Sequence, residues 1–185
     1  IEEGENLSLE SVAQQLNVSI TPVREAFQIL SRDGLIKLRP NKGAIVLGIT
    51  ETYIREHYQL RGILESACAG IAASPDTDIH KIEQSYLGAK KMIESGDYSQ
   101  YANCNREFHS EIWATSGNKM ENMIAELWNG LSMGSMVTEE EYANISIREH
   151  KAIYEAIKAH DVQLAQQKMY EHIMRSCDDM LTYYV

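Results

Sequence analysis

Apolar positions change their spacing once along this chain, near residue 48. Before that point they come in short runs of mixed period. From Thr50 onward they recur at i, i+3, i+4 and i+7, and alternating strand patterns vanish. In the first part, Ser8 is a good N-cap for a short helix to about Leu16, with Leu9, Val12, Ala13 and Leu16 on its inner face. Asn17–Ile20 reads as a break. Thr21 then suits an N-cap and Pro22 a first helical residue, where a missing N–H costs nothing. The helix that follows carries Val23, Phe27 and Leu30 on one face and stops at Asp33-Gly34. Two helices joined by such a turn predict a helix-turn-helix. Leu35–Leu38 and Ala44–Leu47 predict two strands around the basic tip Arg39-Pro40-Asn41-Lys42-Gly43, which is a wing.

The second part predicts helices from Thr50 to about Ala73, from Asp76 or Asp78 to Ser95, from Asp97 to Thr115, and from Asn118 to about Val137. Glu139–Ile145 is polar and carries no clear period. Ser146 reads as the cap of a fifth helix to His160, and Asp161 starts a sixth, to Leu181. The fold class expected is mainly α: a winged helix-turn-helix over 1–48, then an antiparallel bundle of about six helices over 49–185.

Composition narrows the class. A net charge of −10 looks wrong for a DNA binder until it is divided. Residues 1–48 hold five Lys/Arg against six Asp/Glu, and the remainder holds 12 against 21, so the acid sits in the helical part. Within residues 24–42, Arg24, Arg32, Lys37, Arg39 and Lys42 face only Glu25 and Asp33, a local +3. Phosphate affinity follows the face presented, not the total. No apolar run approaches the ~20 residues of a membrane span, so no membrane partner is expected. Cys68, Cys104 and Cys177 form no CxxC pair, which fits reduced thiols and a cytoplasmic protein.

The candidate chemistry lies in the helical part. His109, His150 and His172 fall on three separate helical segments, with Asn105 one turn before His109 on the same face. Three neutral imidazoles and an amide oxygen make a first shell for a divalent transition metal, zinc or nickel, with positions left open for water or a carboxylate. Arg61 can pair with Glu65 at i+4 or serve as a fork for a ligand carboxylate. Tyr101, Trp113 and Trp128 could line a pocket or fill the core, as could Met120, Met123, Met133 and Met136. His57, His80 and His160 have no such partners, and the last two read as surface residues.

The stretch SVAQQLNVSITPVREAFQILSRDGLIKLRPNKGAIV resembles the DNA-binding head of GntR-family regulators. YQLRGILESACAGIAA, NREFHSEIWATSGN and REHKAIYEAIKAHDVQLAQQKMYEHI resemble the effector domain of its FadR-like branch, the type called FCD. The resemblance implies double-stranded operator DNA as partner, with Ser19, Thr21 and Arg24 at phosphates or base edges and Lys42-Gly43 near the minor groove. It implies a metal held by Asn105, His109, His150 and His172, a small organic acid beside it with Arg61 as an effector contact, and a homodimer on a pseudo-palindromic site. The head then reads as N-terminally incomplete, with Ile1–Leu7 the remnant of a further helix. Two departures stand out: Ile20 replaces a common arginine, which implies altered operator preference or weaker binding, and Asn105 replaces a common aspartate, which removes one negative charge from the metal shell.

The function expected is an effector-responsive transcription regulator, a repressor rather than an enzyme. Two alternatives stand beside it: a regulator that senses the metal with no organic effector, and a metal-dependent hydrolase. The hydrolase needs a general base, and Glu149 and Glu171, each adjacent to a histidine on its helix, are expected to point away from the metal.

Overall fold

A computed structural model describes residues 1–40, 42–130 and 138–184. The chain forms two compact units, Ile1–Ile54 and Arg55–Val185.

In the first unit, β1 (Asn6–Leu7) precedes α1 (Leu9–Leu16), α2 (Ile20–Arg32), β2 (Ile36–Arg39) and β3 (Gly43–Val46). Ser8 caps α1, its hydroxyl accepting from Ser11 N, and Asn17 ends it in the left-handed region. The second helix starts earlier than expected, with Ser19 at the N-cap and Thr21 and Pro22 already inside the first turn. A proline is tolerated there because the first-turn N–H groups have no helical partner. Ala13, Val23, Phe27, Ile36 and Ala44 form the core, with Leu7, Leu9, Val12 and Leu30 packed against it. Leu16 does not join it and is exposed.

The sheet has the antiparallel order β1-β3-β2, with Arg39 opposite Gly43 and Leu7 opposite Ala44. The wing thus gains a third strand from the segment before Ser8, where a remnant helix was expected. Gly43 makes that possible. Its φ is +80°, and a Cβ there would lie 1.9 Å from the Leu7 carbonyl oxygen of β1.

Among the described residues six helices follow: α3 (Glu51–Ala72), whose first turn belongs to the first unit, then α4 (His80–Glu94), α5 (Tyr101–Ala114), α6 (Asn118–Gly130), α7 (Glu139–Lys158) and α8 (Val162–Tyr184). Thr50 caps α3 by accepting from Tyr53 N. The longest departure from the sequence reading is α7. It begins at Thr138, whose side chain and that of Glu141 satisfy each other's backbone N–H in a capping box. Glu139–Ile145 is therefore helical, and Ser146 is a buried residue inside the helix rather than its cap. Glycines let α3 approach α8: a Cβ at Gly62 would press on the Tyr170 ring, and one at Gly70 on Gln166. The core of the second unit includes Tyr58, Phe108, Ile112, Trp113, Ile124, Ile153, Ile157, Met169 and Ile173. Among the described residues no helix is long and apolar enough to cross a membrane.

Candidate functional site

Three helices deliver the three histidines to one point. His109 comes from α5, His150 from α7 and His172 from α8, and all three are buried. Their ligand atoms lie within 4.8 Å of one another. His109 Nε2 is 3.1 Å from His172 Nε2 and 3.2 Å from His150 Nε2. Three nitrogens bound tetrahedrally at the usual zinc distance would be about 3.3 Å apart, so the observed spacing fits one shared ion.

The outer nitrogens explain why the inner ones converge. His109 Nδ1 donates to Glu65 Oε2 at 2.6 Å, and His172 Nδ1 donates to Glu149 Oε2 at 2.6 Å. Glu65 is fully buried, and burial alone would raise its carboxyl; Arg61, His109 and Trp113 outweigh that and hold it at about 2. Burial works against Glu149 in the same sense, and hydrogen bonds from His172 and Arg175 again bring it below the ordinary carboxylate value. Both are therefore ionised and can only accept, so the proton of each bond sits on the imidazole. Burial also lowers His172 to about 4 and, with the neighbouring His172 and His109, drives His150 well below its usual value. Neutral rings with inward lone pairs are the form in which histidine binds a transition metal.

The residue pattern thus brings His109, His150 and His172 together. Asn105 sits at their edge: its Oδ1 accepts from Ser146 Oγ at 3.4 Å, and the same hydroxyl is 3.4 Å from His150 Nε2. Its Nδ2 donates to the Tyr142 hydroxyl at 3.3 Å. Arg61 is buried and commits Nε and Nη2 to Glu65 Oε1, at 2.9 and 2.8 Å, while its guanidinium lies 4.5 Å from the Trp128 ring. Trp113 donates to Glu65 at 2.9 Å, so it supports the centre rather than merely filling space. Met120 packs its sulfur on Cys68, and Met123 is exposed. Met133 and Met136 lie outside the described residues. His57 is buried, whereas His80 and His160 are exposed.

Sequence reasoning missed the carboxylates. Glu65 appeared only as a partner for Arg61, although its second oxygen holds His109. Glu149 stands on the side of His172 opposite the cluster, away from any ion there, but it is not idle: it backs the ring and is gripped by Arg175. Glu171 pairs with Lys168 on the surface. Neither glutamate is free to act as a general base at the histidines.

In the first unit Arg24, Arg39, Lys42 and Gly43 line one groove with Gln28, and Glu10 is the acid among its lining residues. Ser19 caps α2 in position but spends no side-chain hydrogen bond on it, and Thr21 is exposed one turn from Arg24. The positive end of a helix beside free hydroxyls and cations suits phosphate. Arg39 is tied back to Asn6 of β1 by a 2.8 Å hydrogen bond, a restraint invisible in the sequence. Gly43 has a structural duty first, since nothing larger fits under Leu7.

Comparison with known proteins gives two matches that together span most of the chain. Residues 1–46 match the family described as bacterial regulatory proteins, gntR family, and residues 56–175 match the FCD domain. The gluconate operon transcriptional repressor of Bacillus subtilis is 29% identical, covering 93% of this chain and 74% of that protein. A probable D-xylose utilization operon transcriptional repressor of Paenarthrobacter nicotinovorans is 28% identical, covering 88% and 73%. The solved structure of Escherichia coli McbR/YncC shares the fold, with a TM-score of 0.62 at 22% identity over 100% of this chain and 91% of that one.

Proposed function

This chain belongs to the GntR family of bacterial regulatory proteins and carries an FCD domain, and from that premise we propose that it is a repressor whose grip on operator DNA is set by a small organic acid bound at a metal ion. Proteins of this kind regulate transcription by binding rather than by turnover. The observation that carries the proposal is the convergence of three buried Nε2 atoms, two of them held by carboxylates on the far side of the ring.

His109, His150 and His172 would hold the ion, zinc or nickel, with Asn105 at the edge of the shell. When bound, it supplies a Lewis-acidic anchor for a carboxylate. Arg61 meets the acid with the N–H groups that Glu65 does not take, and Trp128 under its guanidinium limits where the fork can swing. Gluconate, named in one relative's operon, is itself a hydroxy acid, which supports this ligand class. At the other end of the chain, Ser19, Thr21 and Arg24 present the start of α2 to the major groove and Lys42-Gly43 carry the wing toward the minor groove. The domain reading is a DNA reader over 1–48 and an effector-binding and dimerisation domain over 49–185. Two copies reading two half-sites give the pseudo-palindrome.

Selection of duplexes from a random library by the full chain, followed by affinity measurements on the enriched sequence, tests this reading. An inverted repeat whose affinity changes with acid only when metal is present supports it. A change with metal alone would replace the acid reading by a metal-sensing one, and the absence of any enriched sequence would overturn the DNA assignment.

A further inference from the structure

We propose that Glu65 and Glu149 are the positioning residues of the centre: each, clamped by an arginine, fixes one histidine with its proton on Nδ1 and its Nε2 lone pair turned inward. The inference rests on the reading that the three histidines hold a divalent metal, and it adds what makes them ready to do so.

Two similar chains of contacts reach the cluster from different helices. In one, Arg61 gives Nε and Nη2 to Glu65 Oε1 at 2.9 and 2.8 Å, leaving Oε2 for His109 Nδ1 at 2.6 Å. In the other, Arg175 Nε reaches both Glu149 oxygens, at 2.7 and 2.9 Å, and Glu149 Oε2 takes His172 Nδ1 at 2.6 Å. An arginine can only donate and an ionised carboxylate can only accept, so the proton between carboxylate and ring belongs to Nδ1. A neutral imidazole has one N–H, so Nε2 is then bare. The two bare Nε2 atoms, one from each chain, face each other at 3.1 Å. With both protons on Nδ1, no hydrogen bond between them relieves that approach, and a cation held by both rings would.

His150 is the contrast. Its ring is stacked on Phe108, centroids 4.3 Å apart, and its Nδ1 is buried with no hydrogen-bond partner among the described residues. Packing holds this ring, not a carboxylate, so it serves as an internal control.

The two carboxylates differ in how they can be tested. Glu65 is fully buried, and its loss would leave Arg61 uncompensated, so a variant there tests folding as well. Glu149 borders an open groove between α7 and α8, beside Arg148, Lys168 and Glu171, so a change there leaves no fully buried charge behind. In Glu149→Gln the amide carbonyl turns to Arg175, which can only donate, and the NH₂ group meets His172. That demands a lone pair on Nδ1 and moves the proton to Nε2, into the centre.

The experiment is nitrogen-15 NMR of the imidazoles in metal-free full-length protein, together with zinc affinity measured by competition with a chromophoric chelator. In the natural sequence, His109 and His172 are expected as Nδ1–H tautomers. In Glu149→Gln, His172 is expected to switch to Nε2–H while His109 keeps its form, and zinc affinity is expected to fall by about 10- to 100-fold. An Nε2–H form of His109 or His172 in the natural sequence overturns the proposal without need of any variant. So does a Glu149→Gln protein with an unswitched His172 and unchanged zinc affinity. If the natural protein takes up no zinc, the metal reading fails, and the tautomers alone then decide whether the carboxylates lock the rings.

Discussion

Burial sets the protonation of His172 more strongly than its bond to Glu149 does, and the result is a value of about 4 against an ordinary 6.5. Between those two values the unfolded chain binds a proton that the folded chain refuses. The resulting stability is fully present above about pH 6.5 and is lost as the pH falls toward 4. The size is on the order of 3 kcal/mol. Urea unfolding of metal-free protein between pH 7 and pH 4 should show this decline, and His172→Gln should make it shallower, with His150 keeping its own share; parallel curves would contradict the assignment. If the three imidazoles are ligands, zinc should raise the melting temperature of the natural protein, and His109→Ala and His172→Ala should each abolish that rise. At this scale the sequence was legible where one residue type carries the chemistry. Histidine on three helices is conspicuous, whereas Glu65 and Glu149 are two of 27 acidic residues and gain meaning only from which ring they meet across the packing. Their signal was partial: Glu65 lies four residues from Arg61, and a carboxylate has a second oxygen to spend.

Helix and strand boundaries were legible where a single cap decides them, as at Ser8 and Thr50, and failed where a run of like charge hid one. Glu139–Glu141 looks like solvated loop, yet acids in a first turn favour a helix, and Thr138 with Glu141 has the spacing of a capping box. That spacing was the signal available and overlooked. Thr138→Ala should therefore cost about 1 kcal/mol of the unfolding free energy, read by urea titration, and Thr138→Ser should restore most of it. The third strand of the wing was illegible for a different reason: two residues carry no period, and they are fixed by contacts across the sheet, among them the close approach of Leu7 to Gly43 and the bond from Arg39 to Asn6. Gly43→Ala should destabilise the first unit by at least about 1–2 kcal/mol from its backbone conformation alone, with the contact at Leu7 adding to it. A circular-dichroism melt unchanged by that substitution would refute the role given to Gly43.

In the molecule as a whole, a small unit with a basic groove precedes a larger acidic unit that holds the buried polar centre. The acid on the larger unit does not oppose DNA binding if the face formed by Arg24, Arg39 and Lys42 makes the contact. Lys42→Ala should then weaken binding to all duplexes alike and lower the salt slope by about one, while Arg24→Ala should alter which sequence is preferred. Salt-dependent titration on the enriched duplex and on a scrambled one separates the two.

In the proposed function, a metal ion held by His109, His150 and His172 anchors an organic acid. The most direct test of that role is the melting temperature of the full chain against a panel of mono-, di- and tricarboxylates, run on zinc-loaded and chelator-stripped protein and on His172→Ala. A ligand that binds only the folded state at 100 times its Kd adds about 2.7 kcal/mol, a readable shift. At least one acid is expected to stabilise the zinc-loaded protein and to lose its effect in both the stripped protein and the variant. An acid that stabilises all three equally would contradict it.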